Sequence, residues 1–218
     1  MKKSNFVLFV ISFAVMLMAL SLLSLVIPKN ATSVISIPSS NGVMGGGITF
    51  RMPDDLTPHQ AKILGLAYDI AKRDGHQYPQ LLQGIVLKES NAGDMKSYKV
   101  AGHEFGLKTN ERYYGVAQIK LSAAKDVLQK HPYMMNEFKF HTKTDEEIIA
   151  KLIENDAFNI SIASKYLLIL KTFGYTTLKQ VALAYNQGPG GAKNFDAETH
   201  PYSKGVTDYV NSLSSKKN

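Results

Sequence analysis

The sequence predicts a mostly α-helical fold, and three observations carry that expectation. Helix-start signatures recur ahead of apolar runs. Within those runs the apolar residues fall three and four positions apart. No two segments alternate apolar and polar residues as paired strands would, although 98–118 has room for a short hairpin.

In chain order, Lys2 and Lys3 precede an uncharged run of 22 residues from Phe6 to Ile27. A secretory signal has an apolar stretch of about 7–15 residues, whereas a membrane span needs roughly 17–25. The run is long enough to span and has no polar face, which argues against a buried core helix. Its length favours an uncleaved anchor, and Ala31-Thr32-Ser33 also offers small residues for signal-peptidase cleavage. Residues 1–33 are therefore expected to be a signal peptide or an uncleaved anchor. The two lysines predict an N-terminus held in the cytoplasm and a body sent across the membrane. The expected location is exported: periplasmic or cell-envelope, anchored in the cytoplasmic membrane if uncleaved. Residues 34–53 follow as a flexible linker, with Ser39, Ser40, Gly42 and the Gly45-Gly46-Gly47 triplet giving little to pack. Residues 54–218 form the expected catalytic domain.

Thr57-Pro58-His59-Gln60 reads as a capped helix start. Ala61, Leu64, Ala67, Ile70 and Ala71 continue that helix until Asp74-Gly75. A second begins after Tyr78-Pro79 and carries Leu82, Ile85 and Val86. Ser122 is the expected cap of a third, with Val127 and Leu128. Thr144-Asp145-Glu146-Glu147 reads as a capping box before Ile148, Ile149 and Leu152. A long helix is expected from about Asp156 to Phe173, ended by Gly174. Another follows from Thr177 to about Tyr185, and a last short one holds Val206, Tyr209, Val210 and Leu213.

Composition narrows the function. Of 218 residues, 44% are hydrophobic and 20% charged, a globular balance. There is no cysteine, which excludes disulfide scaffolds, thiolate metal sites, cysteine nucleophiles and an N-terminal lipidated cysteine. His59, His76, His103, His131, His141 and His200 show no paired metal-ligand spacing, so no metal is expected. The net charge is +7. Lys2, Lys3 and Lys29 are the charges of 1–33, so 25 less 3 leaves 22 basic against 18 acidic residues, or +4 for the rest. Such a surface suits an anionic polymer, including a cell wall.

One residue of the second helix stands out. Glu89 lies seven, four and three positions after Leu82, Ile85 and Val86, on their inward stripe. Burial and the negative end of the helix dipole both raise a carboxyl pKa. A carboxylic acid protonated near neutrality is what a general acid requires. From periodicity alone, a glutamate that bends into solvent at a fraying helix end is the commoner outcome.

The neighbourhood favours the acid. Glu89-Ser90-Asn91-Ala92-Gly93 is followed by Tyr114-Gly115-Val116-Ala117-Gln118-Ile119, then Asn159-Ile160 with Tyr166-Leu167. Ala184-Tyr185-Asn186-Gln187-Gly188 comes next, and Asp208-Tyr209-Val210 last. In this order the set resembles the soluble lytic transglycosylase family, whose members have a lysozyme-like helical fold and cleave peptidoglycan. The family pattern is Glu-Ser-x-x-Gly, Gly-Leu-Met-Gln, an Asn-Ile…Tyr-Leu helix, Ala-Tyr-Asn-x-Gly and a late tyrosine. The ordered combination is specific where each piece is not, and the resemblance covers about residues 60–213. The chain departs from the pattern at Ala117, where the family has methionine, and at Ala163, where it has glycine. The long interval from Glu89 to Gly115 implies an insertion within 94–113.

The resemblance implies a lytic transglycosylase, with Glu89 as the single acid and base. The bond cut is the β-1,4 link from N-acetylmuramic acid to N-acetylglucosamine, and the product is a 1,6-anhydro sugar. It implies substrate-binding roles for Ser90, Gly115, Gln118, Tyr185, Asn186 and Tyr209, and it calls for no cofactor. Ser90 would bond Glu89 or the sugar acetamido group, and Tyr209 would point towards Glu89. Tyr98, Tyr113, Tyr114, Tyr133 and Tyr202 are further sugar-stacking candidates. The implied partners are peptidoglycan strands and the inner membrane. The anchor, the linker and a single small domain suit local wall opening for a secretion, conjugation or pilus machine. Two alternatives stand beside this reading. One is a lysozyme-type hydrolase using Asp94, Glu104 or Glu111 as second carboxylate. The other is a non-catalytic wall-binding component. Nucleic acid is not an expected partner, because the export segment points away from it.

Overall fold

A computed structural model describes residues 56–95, 99–102, 107–142 and 144–214 of the chain. The export segment and linker expected over 1–53 lie outside the described residues. Those residues form a mostly helical fold, as the capping signals and apolar spacing predict.

Helix α1 is Pro58–Arg73. Its capping box is complete: Gln60 N–H donates to Thr57 Oγ1 at 3.2 Å, and Thr57 N–H to Gln60 Oε1 at 2.9 Å. Helix α2, Gln80–Ser90, starts after Pro79 and buries Leu82, Ile85 and Val86. Three short strands follow: β1 (Val100–Ala101), β2 (Tyr113–Tyr114) and β3 (Ile119–Lys120). They pair antiparallel in the order β1-β2-β3, with Tyr113 opposite Lys120, so the hairpin anticipated near 98–118 carries a third strand.

Helix α3, Leu121–Lys130, begins directly from β3, with Lys120 in the cap position and no side-chain cap bond. Ser122 therefore lies inside the helix instead of capping it. Helix α4, Tyr133–Glu137, has no counterpart in the sequence expectation; it turns after Pro132 and buries Met134. Helix α5, Asp145–Glu154, is capped by Thr144. The Glu147 carboxylate does not return to Thr144 N–H as a full capping box requires. It accepts instead from the backbone N–H of His141 at 2.7 Å and of Thr142 at 2.6 Å.

Helix α6, Asp156–Thr172, is the centre of the domain. It buries Phe158, Ile160, Ile162, Ala163, Leu167 and Leu170, so apolar residues leave it in several directions and α1, α3, α5 and α7 pack around it. Helix α7, Leu178–Gly191, is kinked at Gly188 (φ 72°, ψ 161°), the residue before Pro189. The regular part therefore ends close to where the sequence places it. Helix α8, Pro201–Ser214, is longer than expected because the inward stripe of Val206 and Val210 extends back to Tyr202 and Ser203. It packs on α2 and α7. At Gly84 of α2 an added Cβ would stand 3.1 Å from the Val206 carbonyl of α8, so glycine permits this approach.

Candidate active site

Glu89 lies in the last turn of α2, half-buried. Burial raises its carboxyl from an ordinary 4.5 to about 7; the hydrogen bond from Tyr202 and the positive charge of Lys88 pull the other way. The bond from Tyr202 Oη to Glu89 Oε1 is 2.5 Å. Tyr202 sits in the first turn of α8, and its own N–H donates to His200 Nδ1 at 3.2 Å. Burial pushes the Tyr202 phenol well up, and the carboxylate charge adds to this. The phenol therefore stays protonated at neutral pH and donates to the carboxyl.

Tyr185 stands on the other side of this cluster, near the end of the regular part of α7. It is only 9% exposed. Its hydroxyl donates to the Ala117 carbonyl at 2.6 Å, and burial followed by the charge of Glu89 raises its pKa. The residue after it, Asn186, is exposed and accepts a bond from the Gln187 side chain at 2.5 Å.

The turn from Gly115 to Gln118 is held by three helices. Asn159 of α6 is fully buried and makes three bonds to it and its surroundings. Its Oδ1 accepts from Ala117 N–H at 2.8 Å, and its Nδ2 donates to the carbonyls of Tyr114 at 2.8 Å and Leu152 at 3.1 Å. Gly115 lies at φ 71°, where a Cβ would come within 2.3 Å of both Asn159 Nδ2 and the Leu152 carbonyl, so glycine is required twice over. Gln118 closes the turn at φ 48° and donates its Nε2 to the Gly115 carbonyl at 2.7 Å.

Ser90 is also a clamp. It is 0% exposed. Its hydroxyl donates to the Val116 carbonyl at 2.7 Å and accepts from Gly93 N–H at 2.9 Å. The sugar or Glu89 contact expected of Ser90 is thereby replaced by a positioning one: it ties the end of α2 to the Gly115–Gln118 turn. Buried hydroxyls find protein partners because leaving them unbonded costs more than most cores can absorb.

A groove of about 340 Å³ runs alongside, walled by Gln118, Tyr166, Tyr185 and Asn186 together with α3 side chains. Glu89 does not line it. Tyr185 belongs to both places, since it walls the groove and feels the charge of Glu89. The structure thus brings Glu89, Ser90, Gly115, Gln118, Tyr185 and Asn186 into one region. Tyr209 is half-buried, packs against the core and lies two turns along α8 from Tyr202. The hydroxyl bonded to Glu89 is that of Tyr202.

From the sequence, Tyr202 is one of five stacking candidates. The signal that would have singled it out is its place four residues before Val206, on the inward stripe of α8. Of the other four, Tyr114 is buried and donates to the Thr109 carbonyl at 2.8 Å, while Tyr113 walls the groove. Tyr133 is exposed with its ring edge-on to His131, and Tyr98 lies outside the described residues. Among the described residues no group of acidic and histidine side chains is arranged to hold a metal.

No protein-family model, no curated protein and no solved structure matches the chain.

Proposed function

We propose that the chain is a peptidoglycan lytic transglycosylase of lysozyme-like fold, in which Glu89 is the single general acid and base. The observation that carries this reading is Glu89 itself, half-buried at a helix end with the Tyr202 phenol bonded to it and its pKa raised to about 7. At neutral pH such a group is present both as acid and as base, and the reaction needs it in each state in turn.

Glu89 gives its proton to the glycosidic oxygen as the C1–O bond breaks, and charge develops on the sugar. The substrate's acetamido oxygen stabilises that cation, which removes the need for a second carboxylate. The Glu89 carboxylate then takes the proton of the muramoyl O6 hydroxyl, and O6 closes on C1. One glycosidic bond is exchanged for one intramolecular bond, and no water is consumed. The closure is unimolecular, so the nucleophile needs no capture from solution.

Tyr202 holds Oε1, which leaves Oε2 to carry the mobile proton. Its hydrogen bond favours the ionised state that follows proton donation. Gln118, Tyr185 and Asn186 supply groove wall for the glycan. Ser90, Gly115 and Asn159 shape that wall from behind. On this reading the domain works outside the cytoplasm, sent there by 1–33 acting as a signal peptide or an uncleaved anchor and followed by the linker of 34–53. Its partners on this reading are wall strands and, if 1–33 is an uncleaved anchor, the inner membrane; such a tethered enzyme suits local wall opening for a secretion, conjugation or pilus machine.

Mass analysis of digested sacculi tests the reading. Transglycosylase cleavage leaves fragments one water lighter than hydrolysis. Reducing muramic acid ends would instead support the hydrolase. Glycan binding without cleavage would support the non-catalytic wall-binding component.

A further inference from the structure

We propose that His200 is a positioning residue: its imidazole caps helix α8 and so holds the Tyr202 hydroxyl on Glu89. The contact it governs belongs to the structure, and its bearing on catalysis rests on the transglycosylase reading.

Three features place His200 at the N-cap of α8. It precedes Pro201, the first residue of the helix, and proline suits that position because an N–H is not needed there. Its carbonyl accepts from Lys204 N–H at 3.1 Å, the first bond of the helical ladder. Its Nδ1 accepts from Tyr202 N–H at 3.2 Å, as the side-chain oxygen of a serine or asparagine does at other N-caps. An imidazole nitrogen that accepts carries no proton, so the ring hydrogen is on Nε2.

The residue is also fixed from outside α8. His200 N–H donates to the Asp196 carbonyl at 3.0 Å. The Asp196 carboxylate holds the intervening turn, accepting from Glu198 N–H at 3.0 Å and from Thr199 Oγ1 at 3.1 Å. Glu198 is paired with Lys179 of α7 at 2.5 Å. The imidazole stands edge-on to Phe195, with ring centres 5.4 Å apart and planes at 72°.

Tyr202 is therefore pinned at both ends. Its amide is bonded to His200 and its hydroxyl to Glu89 Oε1. Pro201 has no amide to offer, so Tyr202 N–H is the first donor of the helix. Without the cap that donor has no acceptor within α8 and the first turn frays. The phenol rides on that turn. Its bond, which favours the Glu89 carboxylate, then weakens, and burial is left to favour the neutral acid.

The test follows the Glu89 carboxyl carbon of the full chain by NMR as pH is varied, a reading that needs no substrate. His200→Ala raises the midpoint by about half a pH unit, in the direction of Tyr202→Phe. His200→Asn keeps a cap acceptor and restores the wild-type midpoint. His200→Ala in a Tyr202→Phe background adds no further shift, because the phenol through which it acts is gone. On sacculi the alkaline limb of the pH–rate profile moves in the same way in each variant.

A Glu89 midpoint unmoved by His200→Ala overturns the proposal, even where the variant melts at lower urea, since lost stability is all a merely structural cap would cause. So does a shift that persists in His200→Asn, or one that adds to that of Tyr202→Phe. Should His200→Ala not fold, the wild-type imidazole decides. A nitrogen resonance of Nδ1 typical of a protonated ring nitrogen rules out the cap, whereas an unprotonated Nδ1 coupled through the hydrogen bond to the Tyr202 amide supports it. A wild-type chain that cuts no glycan while the midpoints shift as expected refutes the transglycosylase reading and leaves the positioning of Glu89 standing. Sacculi cut with an unmoved limb in His200→Ala refute the positioning alone.

Discussion

The Tyr202 hydroxyl donates to Glu89 Oε1 at 2.5 Å across 113 positions of sequence. The bond joins the first turn of α8 to the last turn of α2, at the end of a helix pair that Gly84 lets approach closely. It opposes the effect of burial, since burial favours the neutral acid and the phenol favours the carboxylate. The two effects together set a carboxyl that titrates near neutrality.

Glu89→Gln keeps the size and much of the hydrogen bonding of the side chain but has no proton to give. The variant folds with wild-type circular dichroism and clears sacculus suspensions about 10²–10⁴-fold more slowly. Wild-type clearance by this variant would exclude Glu89 from the chemistry.

Tyr202→Phe removes the bond that favours the ionised form. The Glu89 pKa then rises further, and the alkaline limb of the pH–rate profile moves to higher pH. A profile displaced to lower pH, or not displaced, would separate Tyr202 from the acid. A purely structural loss would lower the rate without moving the limb.

The raised Glu89 pKa also links stability to pH. The folded value is about 7 and the ordinary value 4.5. The contribution of the neutral acid is therefore complete below about pH 4.5 and is lost as pH rises through 7. At 1.36 kcal/mol per pKa unit, the upper bound is roughly 3–4 kcal/mol. Urea melts at pH 4.5 and pH 8 should show the wild type losing stability relative to Glu89→Gln across that window. Parallel curves for the two proteins would contradict the shift.

Asn159→Ala leaves the Ala117 N–H and the Tyr114 and Leu152 carbonyls without their side-chain partner in a buried site. We expect a loss of about 2–4 kcal/mol in chemical denaturation. Gly115→Ala should cost at least as much as a typical strained backbone substitution, about 1–3 kcal/mol, because φ 71° and the 2.3 Å approaches both oppose a Cβ. A wild-type midpoint for either variant would show that the turn is not held as described.

The sequence alone determined most of the helices and put Glu89 in register with the inward stripe of α2; that it stays half-buried there was decided by the packing of α8. Thr57 with Gln60, Thr144, and the three- and four-residue spacing of Leu82, Ile85, Val86 and Glu89 act within one or two turns, and that range is legible in one dimension. Only the tertiary structure decided what meets Glu89 and what Ser90 does. A hydroxyl's partner depends on which distant backbone packs against it, so Ser90 became a clamp for Val116 and Tyr202 took the contact with the acid. The same holds for Lys120 and Lys130, whose ammonium groups lie beside the rings of Tyr113 in β2 and Phe173 at the end of α6. Helical periodicity chooses the face a residue presents, and the packing of whole elements chooses what that face touches.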